Sequence, residues 1–288
     1  MIHHLRILSP SGAIDPEYIK GAEERLLSHG FEVSEGQYCR GSHGRFAATD
    51  DERVADLRAA MDDPSVDAIL CSRGGYGLQR IIDRVGEIRK PVIGFSDITA
   101  LHQLSALSRQ PSLHGIMCKH IATLPETSEA LQRTLEALRG EPLEYEIPAH
   151  PLNRCGEVTA PLIGGNLSVL YGLQGTPYGL ESVIQQPLLL IEDIGERHYH
   201  IDRMLNNLRL SGVLQNLSGL IVGQFTDCED DPLMGETVYE TIARYAAEYG
   251  YPVVFNFPAG HVEHNLPLWL NRTATLRVEK EYVQFLQA

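Results

Sequence analysis

Ala68-Ile69-Leu70-Cys71 is a short apolar run closed at once by Ser72-Arg73-Gly74-Gly75-Tyr76-Gly77, and this stretch decides how the chain is read. Four consecutive apolar residues bounded by a glycine cluster have the length and flanks of a buried strand, and such strands belong to parallel sheets covered on both faces. The neighbouring segments repeat the unit. Upstream, Leu5-Arg6-Ile7-Leu8 runs into the turn residues Ser9-Pro10-Ser11-Gly12, and residues 16–28 carry a helical periodicity that stops before Gly30. Phe31-Glu32-Val33 reads as a second strand and residues 50–61 as a charged amphipathic helix with Asp50 as its N-cap. Downstream, Pro91-Val92-Ile93-Gly94-Phe95 is another apolar strand and residues 97–108 another helix. Strands alternating with helices predict an α/β fold with a parallel sheet, whose ligands collect at the carboxyl ends of the strands.

Between Thr123 and Pro161 the pattern changes: one helix over 129–139 is followed by the breaks Gly140-Glu141-Pro142 and Pro148-Ala149-His150-Pro151. The expected organisation is a first domain over 1–125, a linker region over 126–160 and a second, mixed α/β domain over 161–288. In that second part Leu188-Leu189-Leu190-Ile191 and Gly219-Leu220-Ile221-Val222 are strands, residues 201–210 and 236–249 helices, and residues 274–286 a terminal hairpin around Glu279-Lys280.

Charge narrows the range of partners. Thirty-eight acidic residues stand against 24 Lys and Arg, a net charge of -14, so the summed field repels nucleic-acid phosphates and anionic lipid headgroups alike. Met1-Ile2-His3-His4-Leu5-Arg6-Ile7-Leu8 leads directly into Ser-Pro-Ser-Gly with no room for an apolar signal segment, and no later apolar run reaches the roughly 18 residues that span a bilayer. The five cysteines, Cys39, Cys71, Cys118, Cys155 and Cys228, are odd in number and widely spaced, which fits a reducing cytoplasm. Cys71 and Cys118 sit in or beside apolar surroundings, where inert buried thiols are commoner than nucleophiles. Neither His3 and His4 nor His198 and His200 have the i, i+4 spacing of a zinc helix, so no metal is expected.

Three places could carry chemistry. In Gly94-Phe95-Ser96-Asp97-Ile98 a serine stands between an apolar strand and a helix, where a sharp turn exposes a hydroxyl; the GxSxG elbow would need glycine at 98, and Ser96 could equally cap the helix through the amide of Ile98 or Thr99. The Arg73 to Gly77 turn leaves its amides unshielded, so an oxyanion or phosphate could sit there, although the segment matches neither GxGxxG nor GxxxxGK[ST] and could be only a close strand-helix turn. Arg73 offers a planar fork suited to a carboxylate. In the second part Glu192-Asp193 ends one apolar strand, and Pro258-Ala259-Gly260-His261 follows another. Singly, Glu192 could be a salt-bridged surface acid and His261 a hydrogen-bonded loop histidine.

Together, Arg73-Gly74-Gly75-Tyr76-Gly77, Gly94-Phe95-Ser96-Asp97-Ile98-Thr99-Ala100-Leu101, His114-Gly115, Gly164-Gly165-Asn166-Leu167, Glu192-Asp193-Ile194 and Gly260-His261 occur in the order found in LD-carboxypeptidases. The chain resembles that family over nearly its whole length. The resemblance implies a Rossmann-like N-terminal domain with a parallel sheet and a smaller mixed α/β C-terminal domain. It implies Ser96 as nucleophile, Glu192 as acid and His261 as base, with main-chain amides of Gly75, or its neighbour, and Asp97 as the oxyanion hole. Arg73, with Gly74 beside it, is the substrate-binding candidate, for the terminal carboxylate; Arg73 could instead lock the turn. It further implies a cytoplasmic homodimer, with no cofactor, that releases D-alanine from murein tetrapeptide during cell-wall recycling. Two other readings compete: a microcin-immunity-type peptidase cleaving aminoacyl or peptidyl adenylates, and a non-catalytic protein that binds a small anion. Trp269, the single tryptophan, follows the histidine motif, whereas the microcin-type members carry an aromatic residue on a longer loop between the domains.

Overall fold

The apolar runs become strands of two separate sheets. The computed structural model describes residues 1–183 and 186–288, divided into one unit of residues 1–141 with 263–270 and another of residues 142–262 with 271–288. In the first, β1 (His4–Leu8), β2 (Glu32–Glu35), β3 (Ala68–Cys71), β4 (Val92–Gly94) and β5 (Ser112–His114) are all parallel in the order 5-4-3-1-2. The strand Leu268–Leu270 adds antiparallel to β5 at the edge. Register aligns the carboxyl ends: Leu8 pairs with Cys71, Leu70 with Ile93 and Gly94 with His114, so the loops after β1, β3 and β4 leave the sheet side by side.

Six helices belong to this unit: α1 (Pro16–Ser28), α2 (Asp50–Asp62), the short α3 (Ile82–Val85), α4 (Thr99–Leu107), α5 (Cys118–Thr123) and α6 (Glu129–Arg139). Asp15 caps α1 through the Glu17 amide, with Pro16 in its first turn. Asp50 is not the cap of α2: Thr49 is extended there, accepts from the Glu52 amide, and its own amide donates to the Glu52 carboxylate in a capping box. Residues 99–106 of α4 are all buried, which makes α4 the central helix behind β4. Cys71 and Cys118 are buried and burial pushes both thiols well above the ordinary range, as inert core cysteines require.

The second unit is built on β6 (Leu143–Pro148), β7 (Gly156–Asn166), α7 (Leu167–Leu173), β8 (Leu188–Ile194), α8 (His198–Leu210), β9 (Gly219–Thr226), α9 (Val238–Ala246) and β10 (Val253–Val254). Leu268–Leu270, already placed in the first sheet, is β11, and β12 (Thr273–Val278) and β13 (Tyr282–Gln287) form the terminal hairpin. Strands β7 to β10 run parallel in chain order, while β12, β13 and β6 extend the sheet antiparallel from β7. This is the mixed α/β arrangement expected, around a core of Leu189, Ile191, Ile201, Leu205, Val222 and Phe255 with their neighbours. Residues 126–160, read from the sequence as a linker, contain α6, β6 and the start of β7, and residues 263–270 return to the first unit. Proline and glycine there mark sheet edges and a helix stop, not a free tether: Gly140 ends α6 in the left-handed conformation. Among the described residues no helix is long and apolar enough to cross a membrane.

Candidate active site

In the first unit three loops meet at the carboxyl edge. Ser9 Oγ lies 2.6 Å from Ser72 Oγ, and the Gly12 amide donates to the Gly74 carbonyl at 3.1 Å, so the loops after β1 and β3 are joined. Ser96, straight after β4, is partly exposed and has φ 67°, in the left-handed region that non-glycine residues rarely adopt. Such a conformation lifts a side chain out of the line of the strand, the geometry of an elbow. The capping alternative is not what the structure has: the short helical turn Ser96–Ile98 leads into α4, whose N-cap is Ile98, and neither has a side-chain cap.

Gly74 packs against this serine. A Cβ on Gly74 would stand 2.8 Å from Ser96 Cβ, 3.0 Å from Ser96 Oγ and 3.1 Å from the Phe95 carbonyl, so only glycine lets the turn approach this closely. Gly75, exposed, has φ 113°. Arg73 is also exposed and donates through Nη1 to the Ala13 carbonyl at 2.8 Å, tying the turn to the loop after β1.

The second unit brings Glu192 and His261 together across 69 residues. Glu192, wholly buried, stands at a register shift between β8 and β9, and its Oε2 lies 2.8 Å from His261 Nδ1. The other oxygen, Oε1, is buried and accepts no hydrogen bond among the described residues, so the imidazole is the partner seen for this carboxylate. Two glycines make the approach possible. A Cβ on Gly260, at φ 129°, would meet Glu192 Oε2 at 2.9 Å, and one on Gly223 would meet Glu192 Cβ at 3.2 Å and the Ala259 carbonyl at 2.4 Å. The end of β9 holds the histidine loop, the Gln224 amide donating to the Ala259 carbonyl and Thr226 Oγ1 to the His261 carbonyl.

Four residues of the site neighbourhoods were given no role of their own in the sequence reading: Asn166 and Asp193 beside Glu192 and Ser11 beside the serine turn, quoted only within motifs, and Arg53. Asp193 accepts from Asn166 Nδ2 at 2.9 Å and the Ser168 amide at 2.8 Å. Burial, then the neighbouring Glu192 charge, raise its carboxyl to about 7 against these hydrogen bonds. A carboxyl raised on folding keeps its proton in the native state while the unfolded chain has already lost it. The group therefore withdraws stability as pH climbs from its ordinary 3.8 to about 7, and the loss is complete above that. Urea titrations between pH 4 and 7 should show this downward slope, and Asp193→Asn should flatten it; an unchanged slope would refute the assignment. The histidines set aside as metal ligands have other partners: His198 Nε2 meets Thr241 Oγ1 at 2.7 Å and His200 Nδ1 meets Glu196 at 3.0 Å.

A serine lifted from its strand end, and separately an imidazole held at Nδ1 by a carboxylate, are each groups of a kind that acyl-transferring hydrolases use. Ser96 lies in the first unit, Glu192 and His261 in the second. Comparison with known proteins identifies the class more narrowly. Residues 5–115 match the LD-carboxypeptidase N-terminal domain and residues 159–276 the LD-carboxypeptidase C-terminal domain. The chain belongs to the LD-carboxypeptidase family. It is 32% identical to the "Probable murein peptide carboxypeptidase" of Bacillus subtilis, over 96% of this chain and 89% of that protein. It is 30% identical to the "Murein tetrapeptide carboxypeptidase" of Pseudomonas aeruginosa, over 94% and 92%. The crystal structure of muramoyltetrapeptide carboxypeptidase from Oxalobacter formigenes superposes with a TM-score of 0.84 at 26% identity, covering 98% of each chain.

Proposed function

We propose that this protein is a serine LD-carboxypeptidase that removes the terminal D-alanine of murein tetrapeptide. The observation that carries the reading is the 2.8 Å contact of His261 Nδ1 with a buried Glu192 carboxylate, the pairing that fixes an imidazole's tautomer for general-base work. Ser96 is the nucleophile. As its oxygen attacks the carbonyl carbon of the L,D bond, its proton passes to His261 Nε2, and Glu192 stabilises the imidazolium that forms. The amides of Gly75 and Asp97 receive the oxyanion, each donor contributing on the order of 2.7 to 4 kcal/mol to the transition state. On collapse the C–N bond breaks and the imidazolium returns its proton to the departing D-alanine nitrogen; water, deprotonated by the same imidazole, then releases the acyl chain from Ser96. Arg73 meets the terminal carboxylate with the donors not spent on Ala13.

The protein acts in the cytoplasm as a homodimer on peptides released from the wall, a setting that its free cysteines fit. Incubation with murein tetrapeptide should release D-alanine and tripeptide. Absence of D-alanine, with cleavage of an aminoacyl adenylate in its place, would transfer the chain to the microcin-immunity type. Inertness to both, together with no fluorophosphonate labelling, would leave an anion-binding protein. A smaller test probes the turn: Gly74→Ala forces a methyl group against Ser96 Cβ and should destabilise by about 1 to 3 kcal/mol while lowering turnover more than that loss of folded protein explains. Turnover per folded molecule equal to wild type would show that the close approach has no part in the chemistry.

A further inference from the structure

The 74–78 turn and the 9–12 loop are each gripped from two sides by buried charged groups. Arg53, a helix residue only 1% exposed, donates through Nη1 to the Pro10 carbonyl at 2.6 Å and to the Gly77 carbonyl at 3.2 Å. Asp97, 3% exposed, accepts through Oδ2 from Ser11 Oγ at 2.5 Å and from the Leu78 amide at 3.0 Å. The Gly77 carbonyl and the Leu78 amide belong to one peptide group. That plane is therefore held at its oxygen by the guanidinium and at its nitrogen by the carboxylate. The preceding loop is held in the same way, at adjacent residues Pro10 and Ser11. Arg53 is fixed in turn by Asp50 through Nη2 at 2.5 Å and lies 4.9 Å over the Phe46 ring. Gly77 has no room for a side chain here, since a Cβ would stand 2.7 Å from Phe46 and 3.0 Å from Arg53 Nη1.

We infer that the Asp97 carboxylate, together with Arg53 and Ser11, is a positioning device that sets the oxyanion-binding amides of Gly75 and Asp97 at a fixed separation. The inference rests on the proposed hydrolase reading. Asp97 is suited to the task because its main chain supplies one donor while its side chain holds the turn that supplies the other. Misplacing a donor by a fraction of its hydrogen-bond length weakens the interaction where it is strongest, in the transition state, and leaves ground-state binding almost unchanged. Burial raises the Asp97 carboxyl, and what the turn asks of this side chain is an acceptor that Ser11 Oγ and the Leu78 amide can share.

The experiment replaces side chains while every main-chain amide stays. Wild-type turnover is measured first, as D-alanine release from murein tetrapeptide or cleavage of an aminoacyl adenylate, and absence of both overturns the hydrolase reading and this inference with it. Given an active wild type, Asp97→Ala should lower kcat about 100-fold and Ser11→Ala, which removes a single hydroxyl, about 10-fold, with KM moving less than about threefold in both. Asp97→Asn, which keeps an acceptor at the Oδ2 position, should recover most of the loss. Affinity for a peptide boronic acid, whose tetrahedral adduct on Ser96 presents an oxygen to the same amides, should fall in step with kcat/KM across the series. A folded Ser11→Ala and a folded Asp97→Ala with kcat within threefold of wild type would overturn the inference. So would boronate affinity that stays constant while turnover falls.

Discussion

Ser96→Ala is expected to eliminate D-alanine release, lowering turnover by about 10⁴- to 10⁶-fold, and to eliminate fluorophosphonate labelling, while the protein stays folded. The two effects separate because of where the serine stands. Its hydroxyl caps neither the turn at Ser96–Ile98 nor α4, so no helix loses a cap when the oxygen is removed. Alanine at φ 67° is as strained as serine, and the partly exposed site leaves no buried cavity. Circular dichroism and the thermal midpoint should therefore match wild type within the small change a surface substitution brings, about 0.5 kcal/mol. A variant that kept more than a few per cent of wild-type turnover on murein tetrapeptide would remove Ser96 from the chemistry.

The second large effect concerns the pair in the other unit. His261→Ala should lower turnover about as far as Ser96→Ala, and the double variant should be no worse than either, because a nucleophile without its base and a base without its nucleophile fail at the same step. Multiplied losses would mean independent roles. Glu192→Gln should be milder: the side chain keeps its shape, but its amide cannot both accept from Nδ1 and stabilise an imidazolium. The stability readout differs from that of Ser96→Ala. Since Oε1 of Glu192 accepts no hydrogen bond among the described residues and Oε2 faces His261, removing the ring leaves a buried carboxylate without that donor, and His261→Ala should lose about 1 to 3 kcal/mol. A His261→Ala variant as stable as wild type would mean that the pair contributes nothing to holding β8 against the histidine loop.

The corrections to the sequence reading have one pattern. Thr49 rather than Asp50 caps α2, because a cap is chosen by the backbone conformation at the first turn and both side chains could serve. Residues 126–160 contain, besides the helix expected over 129–139, β6 and the start of β7 although their prolines and glycines resemble a tether, because edge strands tolerate proline. The strand Leu268–Leu270 pairs with β5 although Leu268 lies 154 residues beyond His114, since a short antiparallel edge strand leaves no periodicity that names its partner. Asp97 read as a helix-start acid with an amide to offer; that its carboxylate grips Ser11 and Leu78 follows from the meeting of three loops, not from its neighbours in the chain.

What the sequence determined by itself was local and ordinal. Apolar runs of four or five residues, each closed by glycine, serine or proline, specify parallel strands and the turns at their carboxyl ends, and six motifs in one order specify the family. The tertiary structure decided which side chains are paired. The left-handed backbone of Ser96 and the Glu192–His261 contact across 69 residues arise only in the fold, where glycines at 74, 223 and 260 stand where a Cβ would meet Ser96, the Ala259 carbonyl and Glu192 Oε2. Propensity and periodicity describe a residue's own turn or strand, whereas burial, hydrogen-bond partners and steric allowance belong to pairs of residues that only folding brings into contact.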